Sequence, residues 1–274
     1  MANSVHFERP PLVEVAFGIL FSPIAKLLPP HLGVLWGKWR SEFPQFGEAP
    51  PLPPVVEFEE GSASPANISL NFSTTPPMAR IWYVSNDGQN VIQVQKDRFV
   101  YNWRKNQKET AYPHYATAWK EFQRRTEEFT TFLQENSLGE IHPVQYELTY
   151  VDHIAPSERL RDLGLAMLLA RVFPDFSWRN APHRSLPEPV GFEHHLVFPL
   201  PDARGKLHVT IRSAVRAPDH QPLLIVESLA RGIDSAGRPA IMNSWFDVAH
   251  NQIVAAFMNL TDEDIQRTDW GKKE

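Results

Sequence analysis

The stretch that organises this sequence runs from Tyr112 to Asn136 and reads YPHYATAWKEFQRRTEEFTTFLQEN. Its apolar residues recur at steps of three and four, which predicts one buried face of an amphipathic helix. That face comprises Tyr115, Trp119, Phe122, Thr126, Phe129 and Leu133. The face predicted to be solvated comprises Lys120, Glu121, Gln123, Arg124, Arg125, Glu127 and Glu128. A helix of about 20 residues is roughly 30 Å long, so this one is predicted to span a domain.

The composition is typical of a soluble globular protein, with 42% apolar and 22% charged residues. The net charge of −5 disfavours a general phosphate-binding surface, which needs an excess of Lys and Arg. The sequence has no cysteine, which excludes disulfides, thiol nucleophiles and Cys-ligated metals. Neither a secretory signal at Met1–Arg9 nor an apolar run of about 20 residues is visible, so we expect a cytoplasmic protein without membrane contact.

The first half is predicted from its periodicity and its turn residues. The predicted elements are a strand at Leu12–Phe21, a helix at His31–Phe43, strands at Asn67–Ser73, Ala79–Val84 and Val91–Gln95, a strand carrying Phe99, Tyr101 and Trp103, and then the long helix. In the first strand, one face is predicted to hold Val13, Val15, Phe17 and Ile19. Glu48–Pro54 contains four prolines and is predicted to be a stiff, irregular connector.

The second half repeats this order. Its predicted elements are a strand at Val144–Ile154, a helix at Ser157–Ala170 with Ser157 as N-cap, strands at Gly191–Leu200, Lys206–Ala214 and Leu223–Ala230, and a closing helix at Ile241–Leu260. In the first of these strands, Tyr146, Leu148 and Tyr150 are predicted to oppose Glu147, Thr149 and Asp152.

The shared order of elements indicates an internal duplication, and Val13–Phe17 resembles Tyr146–Tyr150 in its residue pattern. The predicted fold class is α+β. Two fused β-α-β-β-β-α repeats, residues 1–140 and 141–274, are expected to share a curved antiparallel sheet with the helices on one face. This order resembles the topology of TATA-binding-protein-like folds, which by itself implies nothing about DNA.

Short motifs also resemble a sporadically distributed prokaryotic family of similar length whose function is uncharacterised. They are PPLVEV from Pro10, DRF from Asp97 followed by NWR from Asn102, ELTY from Glu147, and WFD from Trp245 followed by His250. The resemblance covers nearly the whole chain. It departs at Asp152, where an Asn is expected after the Tyr-Val pair. Sporadic occurrence is typical of accessory, mobile or defence-linked genes, so the resemblance implies a role in a toxin–antitoxin or defence locus.

Asp247 and His250 are the candidate catalytic residues, because a spacing of three places both on one face of the closing helix. A carboxylate that orients a histidine can serve acid–base catalysis, and the two can also ligate a metal. The alternative is an ordinary polar helix face. No HxxxH or HxH supplies a third ligand, and the adjacent His194 and His195 point to opposite faces of a strand, so we expect no metal and no cofactor. The common nucleotide-binding, hydrolase and zinc-protease motifs are absent.

The strand before the long helix contains the candidate binding residues, which are Tyr101, Asn102, Trp103 and Arg104. If its aromatic face packs under the helices, Asn102 and Arg104 face the open side of the sheet, where Arg binds anions and Asn binds amides or base edges. If the faces are reversed, Tyr101 and Trp103 can stack nucleobases. The third interpretation is a buried aromatic face that only stabilises the fold, with Asn102 and Arg104 as solvated polar residues.

Together these observations predict an intracellular, non-enzymatic binding protein that holds a partner protein or a small ligand on the open sheet face or between the halves. An antitoxin-like or accessory role fits this prediction. The alternatives are an enzyme of unrecognised type that uses Asp247 and His250, and a nucleic-acid-binding saddle, against which the acidic charge counts. Unpaired edge strands of the sheet could also join two chains in a homodimer.

Overall fold

The computed structural model describes residues 6–57, 78–106, 110–176, 186–216, 220–232 and 240–273. The strands are β1 (His6–Phe7), β2 (Leu12–Phe21), β3 (Gln45–Ala49), β4 (Arg80–Val84), β5 (Asn90–Gln95), β6 (Arg98–Arg104), β7 (Pro143–Ile154), β8 (Glu193–Pro199), β9 (Lys206–Val215), β10 (Pro222–Gly232) and β11 (Lys272–Lys273). The α-helices are α1 (Pro29–Trp39), α2 (Tyr115–Glu135), α3 (Leu165–Val172), α4 (Ala240–Leu260) and α5 (Glu263–Thr268). The predicted strand Asn67–Ser73 lies outside the described residues.

Within these ranges, nine strands form one sheet in the order β3-β4-β5-β6-β2-β7-β10-β9-β8. Every pair of neighbours in it is antiparallel. The mixed α+β class with a large antiparallel sheet is therefore confirmed. The edge strand β3 was not predicted, because its sequence QFGEA contains a glycine and no β-branched residue.

The middle of the sheet is the pairing of β2 with β7. Phe17 lies opposite Leu148 of β7 on one side and Tyr101 of β6 on the other. All three side chains are buried on the face covered by helices. Strict alternation in β2 therefore produces the apolar face that the sequence predicts, from Val15 onward.

At its first residues β2 departs from this alternation. Leu12 pairs with Asp152 and Glu14 with Val151, so Val13 is an extra residue in a β-bulge. The bulge places Leu12 on the buried face, whereas Val13 stays partly exposed. The prediction that Val13 shares the face of Val15 is wrong for this reason.

The two long helices, α2 and α4, pack on the same face of the sheet and share one aromatic layer. The ring centroid of Phe17 lies 5.4 Å from that of Phe122 in α2 and 5.8 Å from that of Phe246 in α4. The rings of Trp119 and Phe246 join the helices directly at 4.8 Å. Helix α2 begins three residues later than predicted, because Pro113 precedes His114, whose φ of 65° is not helical.

Arg125 is the main exception to the predicted solvated face of α2. Its side chain is 1% exposed and donates hydrogen bonds to Glu42, Glu121 and Glu128. Its guanidinium also lies over the ring of Phe43 at 4.7 Å. Helical periodicity cannot reveal this burial, because Glu42 and Phe43 follow α1 in the chain and pack against α2 only in the fold.

The predicted helix Ser157–Ala170 is interrupted. A 3₁₀ turn occupies Glu158–Leu160, and α3 begins only after Gly164, which is extended at φ −64° and ψ 165°. Ser157 makes no capping hydrogen bond, and its buried hydroxyl has no partner among the described residues. A turn at Arg161–Asp162, closed by a 3.1 Å hydrogen bond from the N–H of Leu163 to the carbonyl of Leu160, interrupts the helical pattern here.

The proline-rich connector crosses the face of the sheet opposite the helices. The side chain of Gln95 exchanges two hydrogen bonds with the backbone of Leu52, each 3.0 Å long. The side chain of Gln145 likewise bonds the backbones of Val55 and Glu57, each at 2.8 Å. The Glu57 carboxylate then meets three basic side chains of β9 and β10, namely Lys206, His208 and Arg231. The predicted irregular connector Glu48–Pro54 therefore begins within β3, which ends at Ala49, and its remainder belongs to a bound strap (residues 51–57).

Replacing Arg125 with Met should lower the free energy of unfolding by about 3 kcal/mol, because three carboxylates lose a buried partner while the apolar volume is kept. The neighbouring Arg124→Met variant is the control. Arg124 contacts Glu42, Glu121 and Glu128 from a side chain that is 45% exposed, so its loss should cost less than about 1 kcal/mol. Urea unfolding at pH 7 measures both, and equal losses would contradict the assigned burial.

Candidate functional site

A cavity of about 580 Å³ lies where the central strands meet α4 and the N-terminal segment. It is bounded by residues of both halves of the chain. They are Phe7 to Leu12 and Lys105, Thr110, Ala111, Tyr112 and His114 from the first half, and Tyr150, Asp152, His250, Ile253, Val254 and Phe257 from the second. The lining is mostly apolar and aromatic with a few polar groups, which is the usual character of a small-molecule site.

The N-terminal segment is held over the cavity by the C-terminal tail. Strand β1 pairs with β11, and the backbone N–H of Arg9 donates to the carbonyl of Trp270 at 3.0 Å. The ring of Phe7 packs edge-on against Phe257 and Trp270, with centroids 6.1 and 6.2 Å away. Two-residue strands leave no periodic signal in the sequence, so this wall of the cavity was not predicted.

Asp152 is the most unusual group in the cavity. It lies in β7 between Leu12 and Val226, and only 6% of it is exposed. No described residue donates a hydrogen bond to its carboxyl group, and burial alone raises its pKa to about 7. A buried carboxyl without a partner is costly, because it has lost water and gained nothing in exchange.

Beside Asp152, three side chains form a hydrogen-bonded row. The hydroxyl groups of Tyr112 and Tyr150 are 3.3 Å apart, and the Tyr150 hydroxyl is 2.9 Å from Nδ1 of His250. Burial lowers the pKa of His250 to about 4 and raises that of Tyr150. At neutral pH the row is therefore uncharged, and it can donate and accept hydrogen bonds without a change in protonation.

The structure gives Asp247 and His250 different surroundings. His250 lines the cavity, whereas Asp247 lies outside it and accepts a hydrogen bond of 3.3 Å from the Tyr115 hydroxyl. The Tyr115 ring stacks on the His250 imidazole, with centroids 3.9 Å apart. The carboxylate of Asp247 therefore contacts the tyrosine that packs on His250, and no hydrogen bond joins the two predicted partners.

Among the charged side chains at the rim of the cavity, Arg9 and Glu8 already bond other groups of the protein, whereas Lys105 has no ion-pair partner among the described residues. The guanidinium of Arg9 donates to the carbonyls of Thr268 and Asp269, and Glu8 pairs with Lys273 at 2.9 Å. Lys105 is partly buried, and no ion pair joins its ammonium to another described residue. Its backbone N–H bonds the carbonyl of Val13 at 2.7 Å, next to the β-bulge.

The other predicted binding residues lie elsewhere. Tyr101 and Trp103 are buried under the helices, with the Trp103 ring 5.1 Å from that of Tyr112. Asn102 is on the opposite face but is 5% exposed, and its amide links Gln93 to Glu14. The Arg104 guanidinium donates to the carbonyl of Gly88 at 2.8 Å. These polar groups therefore already have partners within the protein.

The histidines do not converge on one point. His194 packs against Phe176 and Phe192, whereas His195 lies 3.2 Å from His208 on the other face of the sheet, as adjacent strand residues must. Across the described ranges, no cluster of three or more His, Asp or Glu side chains could hold a metal ion.

The sequence matches no family model, and no curated protein is significantly similar to it. Among the helices that the structure describes, none is long and apolar enough to cross a membrane.

Sequence reasoning placed Asp152 on the wrong face of its strand. A period of two groups residue 152 with 146, 148 and 150, but the charge of Asp152 favoured a place beside Glu147 and Thr149. An acidic residue in register with a buried aromatic row was the available signal. The contributions of Tyr112 and Tyr150 were missed because both read as ordinary core aromatics.

Replacing Asp152 with Asn should change the pH dependence of stability. The pKa of Asp152 is about 7 in the folded chain against 3.8 unfolded, so the folded state holds a proton that the unfolded state has released. The contribution of Asp152 to the free energy of unfolding therefore falls as pH rises from 4 to 7, by about 4 kcal/mol in total. The Asp152→Asn variant has no such titration. Its free energy of unfolding should therefore rise by that amount, relative to the native chain, between pH 4 and pH 7.

Urea unfolding of both proteins between pH 4 and 8 checks this result. The depressed pKa of His250 acts in the opposite direction, since its contribution is lost as pH falls from 6.5 towards 4. This second contribution is common to both proteins and cancels in their difference. A difference that stays constant with pH would contradict the buried, unpaired state of Asp152.

Proposed function

We propose that this chain is a non-enzymatic binding protein that holds a small organic ligand in the cavity between its halves. The observation that carries the proposal is Asp152, a buried carboxyl that faces the cavity without a partner. Proteins rarely bury such a group unless something pairs with it, and strongly perturbed groups cluster at functional sites. A cavity of about 580 Å³ is in the range that binds drug-sized molecules.

Binding is favoured over catalysis by the residues at hand. The sequence contains no cysteine, and no serine occurs among the lining residues that the structure describes. The imidazole of His250 already bonds Tyr150, and the low pKa of His250 makes it a weak base. These features suit recognition of a ligand more than attack on one.

An enzyme of unrecognised type is the second candidate. It is favoured by a specific observation, namely that an acid with a pKa of about 7 and a neutral histidine line the same cavity. Asp152 rather than Asp247 would then be the carboxyl that acts with His250, because Asp247 lies outside the cavity. Conversion of the bound molecule into a product would distinguish this candidate from pure binding.

The finer architecture is also part of the proposal. Outward from the centre the strands run β2-β6-β5-β4-β3 on one side and β7-β10-β9-β8 on the other, so the first side has one additional edge strand. This order supports two fused repeats, residues 1–140 and 141–274, in a TATA-binding-protein-like arrangement. A nucleic-acid saddle is less well supported, because the strap (residues 51–57) occupies part of the face opposite the helices and adds Glu57 to it.

The other expectations remain predictions. They are a cytoplasmic location, an antitoxin-like or defence-linked role within the resembling family, a homodimer through the edge strands, and a partner protein on the sheet face that carries Asn102 and Arg104. A small ligand is proposed ahead of a partner protein because Asn102 is buried and already bonded.

Replacing Val254 with Trp should abolish ligand retention, because the added ring would occupy the cavity that Val254 lines. The matched control is Ala255→Trp, since Ala255 is the next residue of α4 and is exposed. Each protein would be purified under native conditions and then denatured, and the released small molecules would be identified by mass spectrometry.

The native chain and the Ala255→Trp variant should release the same compound in near-stoichiometric amount, and the Val254→Trp variant should release little. Circular dichroism and urea unfolding would establish that both variants are folded. Equal retention by the Val254→Trp variant, or co-purification of a partner protein with no small molecule, would overturn the proposal.

A further inference from the structure

We infer that the ligand of this cavity is an organic cation, with a protonated amine or a related nitrogen group placed against the carboxylate of Asp152. The inference rests on the proposed function, since it names the chemical class of the molecule that the cavity holds. It adds the charge of the ligand, the direction of proton exchange on binding, and the preference for a cation over neutral and anionic molecules.

The described residues of the protein leave the carboxyl group of Asp152 without a hydrogen-bond donor. Strand pairing fixes Asp152 between Leu12 and Val226, neither of which has a polar side chain. The nearby hydroxyl groups of Tyr112 and Tyr150 are bonded to each other, and Tyr150 is bonded to His250. A ligand that donates from a positively charged group would supply both the missing hydrogen bond and the missing countercharge.

Aromatic side chains form part of the cavity wall. Tyr112, Tyr150, Phe7 and Phe257 line the same cavity as the carboxyl, and the two tyrosines lie near it. The faces of aromatic rings attract cations, and this attraction strengthens when water is excluded. A carboxylate among aromatic rings is thus a site for a cation with an apolar body.

The positive groups at the cavity do not neutralise Asp152. Arg9 is directed to the carbonyls of Thr268 and Asp269, and its side chain is 64% exposed. His250 is uncharged at neutral pH, and Lys105 has no effect that offsets the raised pKa of Asp152.

A cationic ligand predicts the direction of proton exchange. At pH 7 about half of the ligand-free chains carry a proton on Asp152, given a pKa of about 7. The cation binds the carboxylate form and lowers the pKa of Asp152, so binding releases protons and tightens between pH 6 and 8. The other titratable or charged groups that line the cavity are Glu8, Arg9, Lys105, Tyr112, His114, Tyr150 and His250. Of these, His250 is already neutral across this range, and Glu8 is engaged with Lys273. An anionic ligand at Lys105 predicts the reverse, namely proton uptake.

The test uses three probes that share a phenylethyl body and differ in the charge of the end group: 2-phenylethylamine, 2-phenylethanol and 3-phenylpropanoate. Isothermal titration calorimetry of the full chain at pH 7, in two buffers of different ionisation enthalpy, gives both affinity and proton exchange. The amine should bind at least about tenfold more tightly than the other two and should release protons. The Asp152→Asn variant should lose at least about tenfold in amine affinity, and the exposed Glu227→Gln variant on the neighbouring strand should lose none.

Tighter binding of the propanoate with proton uptake would overturn the inference and leave the cavity as a binding site. Absence of amine binding at about 10 mM would also overturn it. In either case the ligand retained by the native chain and lost from the Val254→Trp variant decides separately whether the proposed function stands. Retained amine binding by the Asp152→Asn variant would remove the carboxylate from the account, and unfolding curves would establish that this variant is folded.

Discussion

The antiparallel pairing of β2 with β7 is the constraint on which the rest of the structure depends. It joins segments that are far apart in the chain. The other strands of the first half extend the sheet from β2, and those of the second half extend it from β7. Because both strands bury an aromatic face, one ring, that of Phe17, contacts α2 and α4 together. Such a non-local contact is costly in chain entropy, and the aromatic layer offsets that cost. The pairing ends at Leu12 and Asp152, and there the cavity begins.

Asp152 continues the row of Tyr146, Leu148 and Tyr150, so an apolar residue at this position would complete the core. The acid instead lowers stability at neutral pH, since its pKa is far above its usual value. A local choice that opposes the fold without an internal partner is characteristic of a functional position.

Secondary structure was predicted most accurately in segments that show a single hydrophobic periodicity. The bounds of β2 and the apolar face of α2 followed from alternation, from the three-to-four spacing and from flanking prolines. Contacts made only in the fold were not predictable in this way. Arg125 looked solvated because its partner Glu42 lies in another part of the chain, and the bulge at Val13 depends on pairing with β7. The cavity shares this character, since its walls come from segments that have no common motif.

Asp152 is a buried acid that faces the cavity and has no partner among the described residues, and titration of its carboxyl group is the decisive measurement. The side-chain carboxyl carbon of Asp152 would be followed by ¹³C NMR in the ligand-free chain, with its signal assigned by its absence in the Asp152→Asn variant. We expect a midpoint close to pH 7, because burial without a partner raises the pKa of this carboxyl group. A midpoint near the ordinary value of about 4 would mean that the carboxyl is hydrated or paired, and it would contradict the account.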